Sequence, residues 1–190
     1  MSPKPAIAIT VAALALALGA CGGDDAGNPD SELTPDEATA PLSDASPELV
    51  AIREQANELL GGGSAAFADR LDELQGTPVV VNNWGSWCGP CRAEFPYFQK
   101  AAISNEDAIA FLGVDTDDSD KAAETFLSEL PLPYPSYTDP DRDISEEYLD
   151  HPFGLPATAF YDSRGERAFV HQGPYTSEAD LQADIDRYGR

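Results

Sequence analysis

The spacing of apolar residues predicts alternating strands and helices over the C-terminal part of the chain. Short apolar runs at 79–81 and 108–114 are typical of buried strands. Helices are predicted at about 90–103, 119–130, 144–149 and 177–188, and a turn at 162–165 joins two further strands at 157–161 and 167–171. A strand–helix–strand unit followed by a hairpin and a closing helix indicates an α/β protein.

A helical extension is predicted to precede this domain. Ser46 is a favoured helix cap and Pro47 a favoured first helical residue. Apolar residues at 49, 52, 56 and 59 follow at helical spacing, and the glycines at 61–63 end that helix. A second short helix is predicted over 65–74. We therefore divide the chain into an extension at 47–75 and an α/β domain at 76–190, in which prolines at 131, 133 and 135 predict irregular backbone until about Ser136.

The N-terminal residues have the composition of a targeting segment and a tether. Lys4 precedes an apolar run at 6–18 that is too short to span a bilayer, so 1–20 is predicted to be a signal peptide. Leu18-Gly19-Ala20-Cys21 resembles the cleavage and lipidation box of bacterial lipoproteins, which implies a lipid on Cys21. An ordinary cleaved signal with an unpaired Cys21 is the alternative. Residues 21–46 lack aromatic residues and β-branched apolar residues and are predicted to form a disordered acidic tether.

The charge excludes some classes of partner. A formal net charge of −23 disfavours nucleic-acid binding, because phosphates would be repelled. It also disfavours docking on anionic lipid through a basic patch. With Cys21 lipidated, Cys88 and Cys91 are the two of the three cysteines left to pair with each other. Export would place that pair in an oxidising compartment, where disulfides persist.

The candidate chemistry is in Trp87-Cys88-Gly89-Pro90-Cys91, between a predicted strand and a predicted helix. Amides at a helix N-terminus favour a thiolate on the first cysteine, and the second cysteine lies one turn further on. This arrangement suits thiol–disulfide exchange. A structural disulfide would stabilise little over so short a loop. Half of a zinc site would need a second Cys/His pair at ligand spacing, which the sequence lacks.

Two blocks of sequence resemble the TlpA/ResA-like thiol–disulfide oxidoreductases of the thioredoxin superfamily. The first runs from Gly76-Thr77-Pro78 through Trp84 to Trp87-Cys88-Gly89-Pro90-Cys91-Arg92-Ala93-Glu94-Phe95-Pro96. The second is Phe153-Gly154-Leu155-Pro156-Ala157-Thr158 and the strand that follows. The resemblance implies a thioredoxin-like fold over about 76–190, with a central mixed β-sheet flanked by helices. Asn82 stands where thioredoxins carry a buried aspartate, and the family's usual N-terminal hairpin is not recognisable.

The resemblance also implies roles for individual residues. Cys88 would attack the substrate disulfide and Cys91 would resolve the mixed disulfide. Gly89 and Pro90 would shift the reduction potential of the Cys88–Cys91 pair toward reducing values. Pro156 would be a cis-proline, with the Leu155 backbone pairing with substrate. Trp87 would shield Cys88 and contact substrate, and Trp84 would pack beneath the site; core packing is the alternative for each. Glu94 would replace the missing aspartate as proton acceptor, unless it is a solvated surface residue.

The expected function is an exported, lipid-anchored oxidoreductase on the extracytoplasmic face of the membrane. It would reduce disulfides in exported proteins, for example in apocytochrome c, and would receive electrons from a membrane protein. It would need no metal and no cofactor beyond the Cys88–Cys91 disulfide. The close alternative is an oxidant that forms disulfides in secreted proteins. A Sco-like copper protein is more distant, as is a thioredoxin-fold peroxidase, which would have threonine where Gly85 stands.

Two further groups of residues are assigned no role. His151 and His171 are predicted to be ordinary loop and strand residues. The aspartates at 115, 117, 118 and 120 lack the glycine and closing glutamate of a calcium loop, so a solvated acidic loop is expected.

Overall fold

The structure, a computed structural model, describes Met1 and residues 33–43, 45–150 and 154–189. The helices are α1 (Pro35–Ala38), α2 (Pro47–Glu54), α3 (Gly63–Glu73), α4 (Gly89–Ser104), α5 (Asp120–Glu129), α6 (Asp143–Tyr148) and α7 (Glu178–Tyr188). The strands are β1 (Leu59–Leu60), β2 (Val79–Trp84), β3 (Ala110–Thr116), β4 (Ser136–Asp139), β5 (Ala157–Tyr161) and β6 (Arg167–Gln172).

The strands form one six-stranded sheet in the order β1-β4-β3-β2-β5-β6. Neighbouring strands are parallel from β1 to β2, whereas β5 and β6 are antiparallel to their neighbours. Strands β2 and β3 are buried along their whole length, which explains their continuous apolar runs. The expected mixed sheet flanked by helices is confirmed.

The polypeptide passes from the centre of the sheet directly into the candidate site. Strand β2 ends at Trp84, and α4 begins at Gly89 after a short loop. Trp84 is fully buried; its indole stacks on Phe126 with ring centroids 5.1 Å apart and meets Phe95 edge-on at 5.3 Å. This aromatic cluster lies beneath the loop, as expected for Trp84, and supports the loop by close packing.

The sequence analysis missed strands β1 and β4. The predicted first helix ends at Glu54 and not near residue 60, because Asn57 adopts a left-handed conformation with φ of 63° and turns the chain into β1. Strand β4 follows the predicted irregular proline segment. The Ser136 amide donates to the Glu58 carbonyl at 2.9 Å, so β1 joins β4 at one edge of the sheet. The extension at 47–75 is therefore not purely helical.

Part of the predicted tether is ordered, so the expectation of disorder is wrong for residues 33–43. Thr34 and Glu37 form a reciprocal capping box at α1, and Ala38 is fully buried. Arg53 donates to the Ala40 carbonyl at 3.2 Å. This short segment orders because it packs on the domain, a gain that its composition alone does not reveal.

Residues 2–20 of the predicted signal peptide, Cys21, and residues 22–32 and 44 of the predicted tether lie outside the described residues. In the ranges that the structure covers, no helix has the length and apolar character needed to cross a membrane.

Candidate active site

Cys88 and Cys91 are joined by a disulfide at the start of α4. Cys88 is the N-cap residue, and its sulfur accepts a hydrogen bond from the Cys91 amide at 3.2 Å. Its accessible fraction is 4%, less than the partial exposure typical of reactive cysteines, and Cys91 is fully buried. The Cys91 amide and the positive end of the helix dipole favour negative charge at Cys88 Sγ, so a thiolate formed there on reduction would be stabilised. Gly89 and Pro90 form the first turn, where proline is tolerated.

Trp87 is the large exposed side chain next to the disulfide, with 58% of its surface accessible. Its indole N–H donates to the Asp117 carbonyl at 2.9 Å, and the Ser86 amide donates to the Asp118 carboxylate at 2.6 Å. The loop after β3 therefore fixes the position of the loop that carries Trp87. Sequence reasoning missed these two contacts. The available indication was that both loops follow the carboxyl ends of adjacent parallel strands.

The second sequence block lies beside the first. The Leu155–Pro156 peptide bond is cis, as expected from the resemblance. A Cβ atom on Gly85 would lie 2.9 Å from the Trp87 indole nitrogen and 3.2 Å from the Leu155 side chain, so glycine permits this close approach. In the part of the chain that the structure describes, the backbone N–H and C=O of Leu155 make no hydrogen bond. They are thus able to pair with an extended peptide.

Glu94 lies on α4 one turn beyond Cys91 and is fully buried. The surface alternative for this residue is therefore wrong. Its Oε2 accepts a hydrogen bond from the Tyr175 amide at 2.9 Å. Burial raises the pKa of the Glu94 carboxyl to about 8, and the Tyr175 amide partly opposes that effect. The Asn82 side chain is also buried, and neither its Nδ2 nor its Oδ1 has a hydrogen-bond partner among the described residues.

Asp115 corrects the expectation of a solvated acidic loop. It lies in β3 with 2% of its surface accessible, because this strand is covered on both edges by β2 and β4. Burial raises the pKa of its carboxyl to about 8, and the nearby Asp118 charge adds to the rise. Over the described ranges, no group of three or more His, Cys, Asp or Glu side chains is arranged to hold a metal ion.

The fold and the site together define a thioredoxin-like protein with a Cys-x-x-Cys pair at the N-terminus of a helix. The chain belongs to the AhpC/TSA family, whose model matches residues 66–166. The thiol-disulfide oxidoreductase ResA of Oceanobacillus iheyensis is 32% identical over 108 residues, covering 56% of this chain and 55% of the relative. The resemblance to ResA-like proteins inferred from the sequence is confirmed.

Solved structures give the same picture. A secreted Mycobacterium tuberculosis disulfide oxidoreductase homologous to E. coli DsbE superimposes with a TM-score of 0.52 at 27% identity, covering 61% of this chain and 85% of that one. A DsbF homologue from Corynebacterium diphtheriae gives 0.53 at 25% identity, covering 62% and 75%. The match to the first curated relatives spans between 55% and 65% of their length.

Proposed function

We propose that this chain is a thiol–disulfide oxidoreductase that exchanges disulfides with exported proteins through Cys88 and Cys91. The observation that carries the proposal is the position of the pair at the N-terminus of α4, one turn before the buried Glu94. The names of the relatives, ResA and disulfide oxidoreductase, support the same activity. No cofactor other than the Cys88–Cys91 disulfide is needed for it.

In the reducing direction, the Cys88 thiolate attacks one sulfur of a substrate disulfide. A bond forms between Cys88 Sγ and that sulfur, and the other substrate sulfur leaves as a thiolate and takes up a proton. Cys91 then loses its proton and attacks Cys88 Sγ, which releases the second substrate sulfur. Two electrons have passed to the substrate, and the Cys88–Cys91 disulfide remains.

Glu94 is the proposed proton acceptor for the Cys91 thiol. A general base works best when its pKa lies near the operating pH, and a free thiol has a pKa of about 8.5. Burial brings the pKa of Glu94 to about 8, which suits this transfer. The Trp87 indole and the free Leu155 backbone groups would bind an extended substrate strand beside the cysteines.

The proposed physiological setting is supported by features of the sequence. The signal-like segment and Cys21 support an exported protein held on the extracytoplasmic face of the membrane by a lipid. The Gly89-Pro90 pair supports a reductase. The resemblance to ResA-like proteins supports electron supply from a membrane protein and clients such as apocytochrome c. The close alternative remains an oxidant of secreted proteins, since the same residues serve both directions.

Trapping tests the mechanism. In the full chain carrying Cys21→Ser, we expect Cys91→Ser to accumulate a mixed disulfide between Cys88 and a protein disulfide substrate, visible on non-reducing gels. Cys88→Ser should form none, because the attacking sulfur is missing. A Cys91→Ser protein that keeps full turnover on the same substrate would rule out the two-cysteine mechanism.

The reduction potential separates the two directions of exchange. Equilibration of the Cys88–Cys91 couple with thiol buffers should give a value near that of thioredoxin, about −270 mV, if the protein is a reductase. A value near that of DsbA, about −120 mV, would make it an oxidant of secreted proteins.

A further inference from the structure

A cluster of three side chains that the exchange steps do not use adjoins Glu94. The rings of His171 and Tyr175 stack with centroids 4.1 Å apart and planes 16° from parallel. The Tyr175 hydroxyl donates to the Asp184 carboxylate at 2.8 Å, and His171 Nδ1 lies 3.6 Å from the same oxygen. We call His171, Tyr175 and Asp184 the Tyr175 anchor. The three residues come from β6, from the loop after it and from α7.

The backbone of Tyr175 connects this anchor to the site. Its amide donates to Glu94 Oε2 at 2.9 Å, while Glu94 Oε1 is buried without a partner among the described residues. An N–H that donates to a carboxylate stabilises the charged form and so favours release of the proton. The position of one loop amide therefore bears directly on the protonation of Glu94.

The loop at 173–176 is attached on both sides of this amide. The Gly173 amide donates to the Pro156 carbonyl at 3.0 Å, and the Tyr97 hydroxyl donates to the Thr176 carbonyl at 3.3 Å. The Tyr175 side chain is 4% accessible and also meets Phe98 of α4 edge-on at 6.2 Å. A loop backbone has many accessible conformations, and a ring fixed on several sides restricts them.

We propose that Tyr175 is a positioning residue whose ring, held by His171 and Asp184, keeps its own amide directed at Glu94. The anchor thereby controls how readily this carboxyl takes up and releases a proton. The importance of that control for exchange rests on the proposed role of Glu94. The positioning itself does not, since it concerns a hydrogen bond that the structure contains.

The test is a direct titration of the Glu94 carboxyl in the oxidised full chain. Carbon-13 NMR of labelled glutamate side chains would follow it, with Glu94→Gln identifying the resonance. His171→Ala removes the stacked ring, and Tyr175→Phe removes only the hydroxyl that binds Asp184. Each should move the titration midpoint upward by about 0.5 to 1 pH unit, the equivalent of weakening one hydrogen bond.

Two controls make the test specific. His171→Phe keeps a ring on Tyr175 and should return the midpoint toward the wild-type value. Asp186→Asn changes an exposed charge on α7 and should leave it unchanged. Unchanged midpoints in both His171→Ala and Tyr175→Phe would overturn the proposal, and so would an equal shift in Asp186→Asn.

The rate of mixed-disulfide resolution, measured against pH in the same variants, distinguishes the positioning role of Tyr175 from the proton-acceptor role of Glu94. A rate profile that moves with the titration supports both the positioning role and the role of Glu94. A titration that moves while the rate profile stays fixed supports the positioning role and removes Glu94 from the exchange mechanism.

Discussion

The carboxyl group of Glu94 lies in the protein interior, where a negative charge is poorly solvated. In the unfolded chain its carboxyl has an ordinary pKa of 4.5, and in the folded protein burial raises that pKa to about 8. Below the lower value both states are protonated, so the full stability is present. As the pH rises toward 8 the unfolded state releases the proton more readily, and the folded state loses stability. This residue therefore makes the protein less stable in the very pH range where it suits proton transfer.

Glu94→Gln should remove this pH dependence. We expect the variant to gain stability relative to wild type between pH 5 and pH 9, by up to about 5 kcal/mol, because glutamine has no proton to lose. Urea unfolding of the oxidised proteins at several pH values measures the gain. Glu124→Gln, an exposed change on α5, is the matched control and should run parallel to wild type. Parallel curves for Glu94→Gln as well would show that the carboxyl does not titrate in this range.

At the scale of single residues, the sequence predicted the reacting groups better than the groups around them. Cys88 and Cys91 were found because their spacing at the start of α4 is local and thiols are chemically distinctive, and Glu94 was found through the resemblance to ResA-like proteins. The Tyr175 amide and the Asp117 carbonyl are backbone groups that any residue could supply, so no sequence pattern marks them. Asp115 was placed in a solvated loop because its burial depends on neighbouring elements and not on its own residue type.

Among the elements, the turn from α2 into β1 depends on one side chain. Asn57 has a left-handed backbone, which asparagine tolerates better than most residues. Its side-chain oxygen accepts a hydrogen bond from the Leu132 amide at 2.9 Å. The residue therefore both directs the chain into the edge strand and satisfies a backbone group in the proline-rich segment before β4.

Replacement of Asn57 separates these two contributions. Asn57→Gly keeps the left-handed backbone accessible and loses only the side-chain hydrogen bonds, so we expect a loss of about 1 kcal/mol. Asn57→Ala adds the strain of a left-handed alanine and should lose roughly 1 to 2 kcal/mol more. Urea unfolding of both variants measures the difference. Equal losses would mean that backbone strain at this position is unimportant.

The same region shows which elements sequence patterns could not reveal. Helices α4, α5 and α7 and strands β2, β3 and β5 were predicted because each has its own apolar periodicity or continuous apolar run. Strand β4 has only four residues, Ser-Tyr-Thr-Asp, after three prolines, and its pairing is supplied by β3 and β1. Strand β1 has two residues. Strands so short are defined by their partners, and a local pattern cannot predict them.

At the scale of the whole molecule, the acidic charge acts on stability through many weak repulsions. The chain has 34 acidic and 11 basic residues. Several of the ion pairs in the described ranges are solvent-exposed, such as Arg92–Glu129 and Arg164–Glu166, and exposed pairs contribute little. Net charge of one sign destabilises the compact state by self-repulsion. This effect is global, whereas the pH effect of Glu94 is local.

Sodium chloride should therefore stabilise the protein. Between about 10 mM and 0.3 M salt we expect a gain on the order of 1 kcal/mol in urea unfolding at pH 7, since the Debye length falls from about 30 Å to less than 10 Å. Screening should level off above that range, whereas a Hofmeister effect would continue to grow with concentration. Glu94→Gln should keep the salt gain, because the remaining acidic charges still repel one another, and should lose the Glu94 contribution to the pH dependence while that of the buried Asp115 remains. A stability that is flat or falls as salt is added would mean that the acidic residues lie too far apart, or are too well solvated, to oppose folding.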